Sequence, residues 1–315
     1  MNNEAALRTF RLAQSILPEL RGQLQHVAGA SVLDLGVNQP GSLQAGTLLA
    51  EICLAAAAQV RIVPADFDRL VSANQVTVQT DTAVAACLGG QYAGWPVQTD
   101  DFFAMGSGPM RMRRGREPLL QQLNLADESP VAVGVLESDK LPSEAAVELI
   151  AEECETPADQ VHLAIAPSTS LAGSIQVVAR SVETALHKLH ELSFDVTTVV
   201  SATGTAPLPP PAKPGDTIAG IGRTNDAMLY GAHVTLWVDS DDESIDAVAA
   251  QVISATSKDY GRPFASVFKD YDYDFYKVDP LLFSPAVVTL HNLKTGRTWH
   301  HGQVNTDVLR QSFLS

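Results

Sequence analysis

The chain has 315 residues, 45% of them hydrophobic and 18% charged, and its 21 basic and 36 acidic residues give a formal net charge of −15. That length allows two modest cores, and the apolar content rules out wholesale disorder. The acidic balance argues against broad binding to nucleic acid or anionic membranes, which needs a basic footprint.

The N-terminal segment EAALRTFRLAQSILPELRGQL has helical periodicity, with apolar positions at Leu7, Phe10, Leu12, Ile16 and Leu17. The start of the chain lacks the basic residues and apolar block of a secretory signal. ASVLDLGV reads as a strand, QAGTLLAEICLAAAA as a helix and QVTVQTDTAV as a second β-rich run. PVAVGVLES is a continuous apolar strand, followed by a helix over SEAAVELIAEEC that Ser143 caps. VHLAIAP is the next strand, IQVVARSVETALHKLHEL a helix with Arg180 and Glu183 three residues apart, and TTVVSATG a further strand. TGTAPLPPPAKPGD, with its prolines after Ala206, breaks the pattern as a connector. HVTLWVD and DESIDAVAAQVI then read as strand and helix, ahead of a tyrosine-rich tail. No run of about 20 apolar residues occurs, so no membrane span is expected. Cys53, Cys87 and Cys154 are widely spaced with no CxxC, which points to reduced core thiols in a cytoplasmic protein.

Strands alternating with helices predict an α/β chain of α+β-type layers. The expected division is a first domain of 1–90 with 215–315 and a second of 91–214, with the active-site pocket between them.

Four segments stand apart from plain scaffold. DLGVNQPGSLQAG (34–46) is a glycine-punctuated strand-to-helix connection with Asn38 and Gln39 as polar groups. Its glycine spacing fits neither GxGxxG nor a Walker loop, so a tight turn is the simpler reading. FFAMGSGPMRMRRGRE (102–117) combines a GSG loop, where amides bind anions, with the only dense basic cluster, Arg111, Arg113, Arg114 and Arg116. It is either a solvated loop or a site for a phosphate or carboxylate. GIGRTNDAMLYGAH (220–233) sets Arg223, Thr224, Asn225 and Asp226 in a row before a strand. That is either a polar turn or a set of donors and acceptors for a heteroaromatic amide edge. Finally, Arg180 and Glu183 at i, i+3 of one helix form either a surface ion pair of about 0.2–0.5 kcal/mol or, behind the small apolar run APSTSLAGSIQVVA, a desolvated and oriented base. His187 and His190 have no third partner for a metal, and no GxSxG or Cys/His arrangement marks a nucleophile.

Taken together, DLGVNQPG, EICLA, FFAMGSGP, LESDKLP, APSTSLAGSIQ through RSVETALHKL, GRTNDAMLYG, SKDYGRPF, YDFYKVDP and LFSPA resemble, in order and over nearly the whole chain, the methenyltetrahydromethanopterin cyclohydrolase family. The resemblance implies a cytoplasmic homotrimer that reversibly hydrolyses a cyclic methenyl group on a reduced tetrahydropterin carrier to the formyl form. No metal or prosthetic group takes part, and the tetrahydromethanopterin-type carrier is itself the substrate. Glu183 is implied as the base that activates water and Arg180 as its orienting partner. Asn38, Ser107, Gly108, Arg111, Ser174, Gln176, Arg223, Thr224, Asn225 and Asp226 are implied as substrate-binding, with Ser107, Gly108 and Arg111 toward the anionic tail. Two features depart from the family pattern. Arg113, Arg114 and Arg116 extend the basic cluster, and Gln98, Asp100 and Asp101 occupy a region where relatives carry lysine. Two alternatives remain: a non-catalytic pterin-binding protein, and a cyclohydrolase acting on methenyl-tetrahydrofolate.

Overall fold

A computed structural model describes residues 2–314. It divides into two compact units, Met1–Ala58 with Ala85–Gln176, and Gln59–Val84 with Val177–Ser315. This partition differs from the expected one. The hairpin 59–84 leaves the N-terminal unit because its second strand pairs with a strand from 199–207, and the stretch 177–214 goes with the C-terminal unit for the same reason. Long-range strand pairing sets the division, and local pattern carries no trace of it.

The first unit is built on a six-stranded sheet. In chain order its strands are β1 (Gln23–Val27), β2 (Ala30–Asp34), β5 (Trp95–Gln98), β6 (Phe103–Ser107), β7 (Ala132–Glu137) and β8 (Val161–Ile165), once β3 (Gln59–Pro64) and β4 (Asn74–Thr80) are assigned to the other unit. The spatial order is β1-β2-β8-β7-β6-β5, with β2, β8 and β7 parallel and the flanking pairs antiparallel. Both faces of the parallel strands are covered, as parallel strands require. Leu33, Val133, Val135 and Ala164 face the helices Asn2–Ser15 and Leu43–Cys53. Val32, Ala132, Leu136, Leu163 and Ile165 face the other way, packing with Ala146, Val147 and Ile150 of the helix Glu144–Glu153.

Helix Asn2–Ser15 buries Asn3, Ala6, Leu7, Phe10 and Ala13, a 3-4-3 stripe, while Leu12 is 52% exposed. The predicted helix is real, but Leu12 lies off its buried face. Ser143 caps its helix as expected, accepting from the Ala146 N–H at 3.3 Å.

The second unit carries β9 (Val199–Pro207), β10 (His233–Val238), β11 (Val287–Asn292) and β12 (Thr298–Gly302) in the order β12-β11-β10-β9-β4-β3. Only β10 and β11 run parallel. Helices Ser181–Glu191 and Thr217–Gly231 pack on β9. On the other face Thr77, Thr203, Thr235 and Thr289 alternate with buried neighbours and stay half-exposed, the ordinary pattern of a sheet with one wet side. Among the described residues no helix is long and apolar enough to cross a membrane. Cys53, Cys87 and Cys154 are all buried, and among the described residues none of them forms a disulfide.

Two local readings are corrected. IQVVARSVETALHKLHEL is not one helix. A helix Leu171–Val178 ends, Arg180 adopts φ −84° and ψ 8°, and a second helix runs Ser181–Glu191. GIGRTNDAMLYG is not a turn ahead of a strand but most of the helix Thr217–Gly231, whose N-cap is Asp216. Three glycines within a helix normally weaken it. Here Gly222 and Gly231 are required by close packing, since a Cβ would meet Ala265 Cβ at 2.9 Å and the Pro207 ring at 2.6 Å.

Candidate active site

In the first unit the candidate groups lie at strand ends, on the loops that follow and on the helices those loops lead into. After β2, the Asp34 carboxylate accepts the N–H groups of Gly36 and Val37 on Oδ1 at 3.1 and 2.8 Å, and that of Asn38 on Oδ2 at 2.9 Å. A fully buried acid thereby shapes the loop that presents the exposed Asn38. Gly36 is needed because a Cβ would lie 2.4 Å from Ser170 Oγ, so this loop lies directly against the one after β8. Asp34 was not among the residues singled out from sequence, although an acid at the end of a strand, two residues before a glycine, is a recognisable turn-forming signal.

The loop after β8 leads into the helix Leu171–Val178, which carries Ser174 and Gln176, each 2% exposed. Ser174 Oγ donates to Ser168 O at 2.9 Å. Ser107 ends β6, and Gly108 turns the chain at φ +89°, its N–H donating to Gly90 O at 2.7 Å. Cys53 Sγ lies 3.2 Å from Ser107 Oγ and accepts from Gln176 Nε2 at 3.3 Å. Two predicted residues from distant segments, Ser107 and Gln176, are therefore joined through a cysteine that sequence reasoning assigned no role.

The arginine cluster is largely committed to the protein itself. Arg111 is fully buried. Its Nη1 donates to the carbonyls of Leu88, Gly89 and Gly90 at 3.0–3.4 Å, its Nε to Glu117 at 2.9 Å and its Nη2 to the same carboxylate. It closes the C-terminal end of the π-helix Val84–Gln91, where carbonyls lack helical partners. Arg114 and Arg116 both pair with Glu153, which holds that carboxyl below its usual range, and Arg114 also stacks 4.5 Å over Trp95. Arg113 donates to Glu155 O at 3.1 Å. Gln98 and Asp100 are exposed, and Asp101 accepts the hydroxyls of Thr99 and Ser143 at 2.7 and 2.9 Å, bonds that lower its carboxyl.

In the second unit, Arg180 and Glu183 are 8% and 7% exposed. The exposed-ion-pair reading is therefore excluded. Arg180 stands at the N-cap position and Glu183 in the first turn of Ser181–Glu191, where free helical N–H groups favour a negative charge. Every residue from Ser181 to Leu189 is buried, so the carboxylate is set in a helix with no wet face along that length. Lys188, five residues on, is also buried. Its Nζ donates to Thr256 Oγ1 at 3.3 Å and to Leu281 O, and desolvation lowers it to about 8.

On the helix Thr217–Gly231, Arg223 Nη1 donates to Pro210 O and Pro211 O at 3.3 and 3.1 Å. Thr224 Oγ1 and Asn225 Nδ2 both donate to carbonyls one turn back, at 2.9 Å to Gly220 O and Ile221 O respectively. Asp226 is fully buried, accepts the Phe264 N–H at 2.8 Å and lies beside the Ser312 hydroxyl. It anchors the SKDYGRPF segment, as does Tyr230, whose hydroxyl donates to Arg262 O.

Desolvation pushes the Asp226 carboxyl from 3.8 up to about 7. The folded protein thus holds a proton that the unfolded chain has released between those values, so stability falls as pH rises through this window. Asp226→Asn keeps an oxygen for the Phe264 N–H and removes the charge. Its melting temperature is expected to match the wild type near pH 4 and to exceed it at pH 8, by at most roughly 4 kcal/mol of stability. Thermal melts of both proteins across pH check this.

Among the described residues no group of three or more His, Cys, Asp or Glu side chains is placed to hold a metal ion.

Comparison with known proteins places residues 3–313 in a match to the family described as cyclohydrolase (MCH). The chain is 64% identical over 290 residues to the methenyltetrahydromethanopterin cyclohydrolase of Rhodopirellula baltica, covering 91% of this chain and 87% of that one. It is 42% identical over 287 residues to the protein of that name from Methylobacillus flagellatus, covering 91% and 86%. With that of Methanothermobacter thermautotrophicus it shares 41% identity over 289 residues, covering 90% of each chain.

Proposed function

Because the chain belongs to the cyclohydrolase (MCH) family, and is an enzyme of that class, we propose that it hydrolyses the methenyl bridge of a tetrahydromethanopterin-type carrier, with Glu183 activating the water. The observation that carries this reading is the burial of Glu183 in the first turn of a helix whose N-cap residue, Arg180, is buried as well. The methenyl carbon lies in a cationic amidinium ring and is already an electrophile. What the reaction requires of the protein is a water held on one face and a group to take its proton.

Water oxygen bonds to the methenyl carbon while Glu183 accepts the proton, giving a neutral carbinolamine. One ring C–N bond then breaks as the C=O forms. The departing nitrogen takes a proton from Glu183 and the hydroxyl proton is lost, so one proton is released per turnover. The carboxylate also faces a substrate that is positive until attack, a complementarity built into the helix start. Arg180 serves to hold Glu183 in its rotamer.

Ser107, Gly108, Ser174, Gln176 and Asn38 are proposed to hold the carrier. Arg111, Arg223 and Asp226 enter through the segments they fix: the turn at Gly90, the proline connector and the SKDYGRPF segment, while Thr224 and Asn225 bond back to their own helix. No metal or prosthetic group is needed for these steps. A cytoplasmic homotrimer completes the reading.

Comparing methenyl-tetrahydromethanopterin with methenyl-tetrahydrofolate under identical conditions tests the substrate. Faster turnover of the methanopterin form is expected. Preference for the folate form would overturn the assignment, and tight binding of either without turnover would favour a binding protein.

A further inference from the structure

Cys53 closes the helix Leu43–Cys53, Ser107 closes β6, and Gln176 lies on the helix Leu171–Val178. They are 0%, 2% and 2% exposed. The sulfur is the atom common to the other two, 3.2 Å from Ser107 Oγ and 3.3 Å from Gln176 Nε2. Ser107 Oγ in turn lies 3.4 Å from Val135 O.

The chemistry of the groups orders these contacts. Gln176 Nε2 and Val135 O are donor and acceptor without choice. A directed chain therefore runs from the Gln176 amide to the thiol sulfur, from the thiol S–H to Ser107 Oγ, and from the Ser107 O–H to the Val135 carbonyl. Each hydrogen along this line has an acceptor. Below it the backbone is equally constrained. A Cβ on Gly90 would lie 2.6 Å from Cys53 O, and Gly90 O receives the Gly108 N–H at 2.7 Å. The end of the Cys53 helix, the π-helix and the GSG loop are thus fixed to one another.

We propose that Cys53 is a positioning residue for the carrier site, its thiol setting the rotamers in which Ser107 and Gln176 meet the carrier. This rests on the reading that Ser107 and Gln176 touch the carrier. A sulfur suits the position because it accepts from one buried group and donates to another at long range, and it behaves otherwise as a small apolar side chain. Alanine or valine removes both bonds, and Ser107 and Gln176 each lose a partner that set their rotamers in a dry site.

The test is steady-state kinetics with the methenyl carrier on Cys53→Ala, Cys53→Val and Cys53→Ser, with Ser107→Ala and Gln176→Ala in parallel and melting temperatures for all. Cys154→Ala, at a second fully buried cysteine, is the control for lost packing. The alanine and valine variants are expected to raise KM about tenfold with kcat within about threefold, and serine to restore KM to within about threefold of wild type. Cys154→Ala should lower the melting temperature and leave KM unchanged. If one of the Cys53 variants does not fold, the other against serine gives the same contrast. An unchanged KM in Cys53→Ala or Cys53→Val, with KM raised in Ser107→Ala or Gln176→Ala, overturns the positioning role alone. An unchanged KM in both Ser107→Ala and Gln176→Ala overturns the carrier contacts, and the positioning role with them.

Discussion

Glu183→Gln is expected to lower kcat by about 10²–10⁴-fold, the range for removing a general base, in a protein that remains folded at the assay temperature. The substitution keeps shape and volume within the buried helix Ser181–Glu191. What is lost is the group that accepts the water proton, together with a negative charge opposite a cationic substrate. KM should therefore rise as well, because part of that attraction acts before the chemical step. Circular dichroism and a thermal melt separate this outcome from misfolding. A variant that keeps wild-type kcat would remove Glu183 from the mechanism.

Arg111→Met is expected to have the largest effect on stability, a loss of about 3–5 kcal/mol, the usual result of breaking one side of a buried ion pair. Methionine has a similar reach but no donors. Glu117 would lose the partner of both its oxygens, and the carbonyls of Leu88, Gly89 and Gly90 would lose their shared N–H groups. Burial makes each of those losses costly, since little water reaches a site whose arginine is fully enclosed. In denaturant melts the double variant Arg111→Met/Glu117→Met should recover part of the loss, because it removes the orphaned charge as well. If the single variant is as stable as wild type, Arg111 is not the clasp described here and its role as an anion-binding group regains weight.

Arg111 also illustrates where sequence reading stops. Four arginines within six residues look like an anion site because a sequence gives charge without burial. The partners that occupy them, Glu117, Glu153 and four carbonyls, become visible only in three dimensions. Elements with their own local signals were legible. Asn2–Ser15 carries a clear apolar stripe, Glu144–Glu153 begins at a serine cap, and β7 and β8 are short, largely apolar runs.

The misread stretches are those in which packing overrides local preference. Nothing in QVVARSVE breaks a helix, yet the chain bends at Arg180 so that the next helix can bury nearly its whole circumference. The glycines of GIGRTNDAMLYG suggest a turn, yet they are the contacts that let that helix lie close to Ala265 and Pro207. Glu183 could be named from its motif, but its burial could not, and burial is what separates an oriented base from a surface ion pair. Cys53 stood within a recognised motif, EICLA, without a role until Ser107 and Gln176 came together on its sulfur.

The most direct measurement is the loss of methenyl absorbance when purified wild-type protein and Glu183→Gln are each mixed with methenyl-tetrahydromethanopterin, against a blank without protein. The wild type should drive the absorbance down at a rate proportional to its concentration, yielding the formyl carrier, and the variant should stay at or near the blank. A wild type no faster than the blank, or a variant as fast as the wild type, would contradict hydrolysis by a water that Glu183 activates.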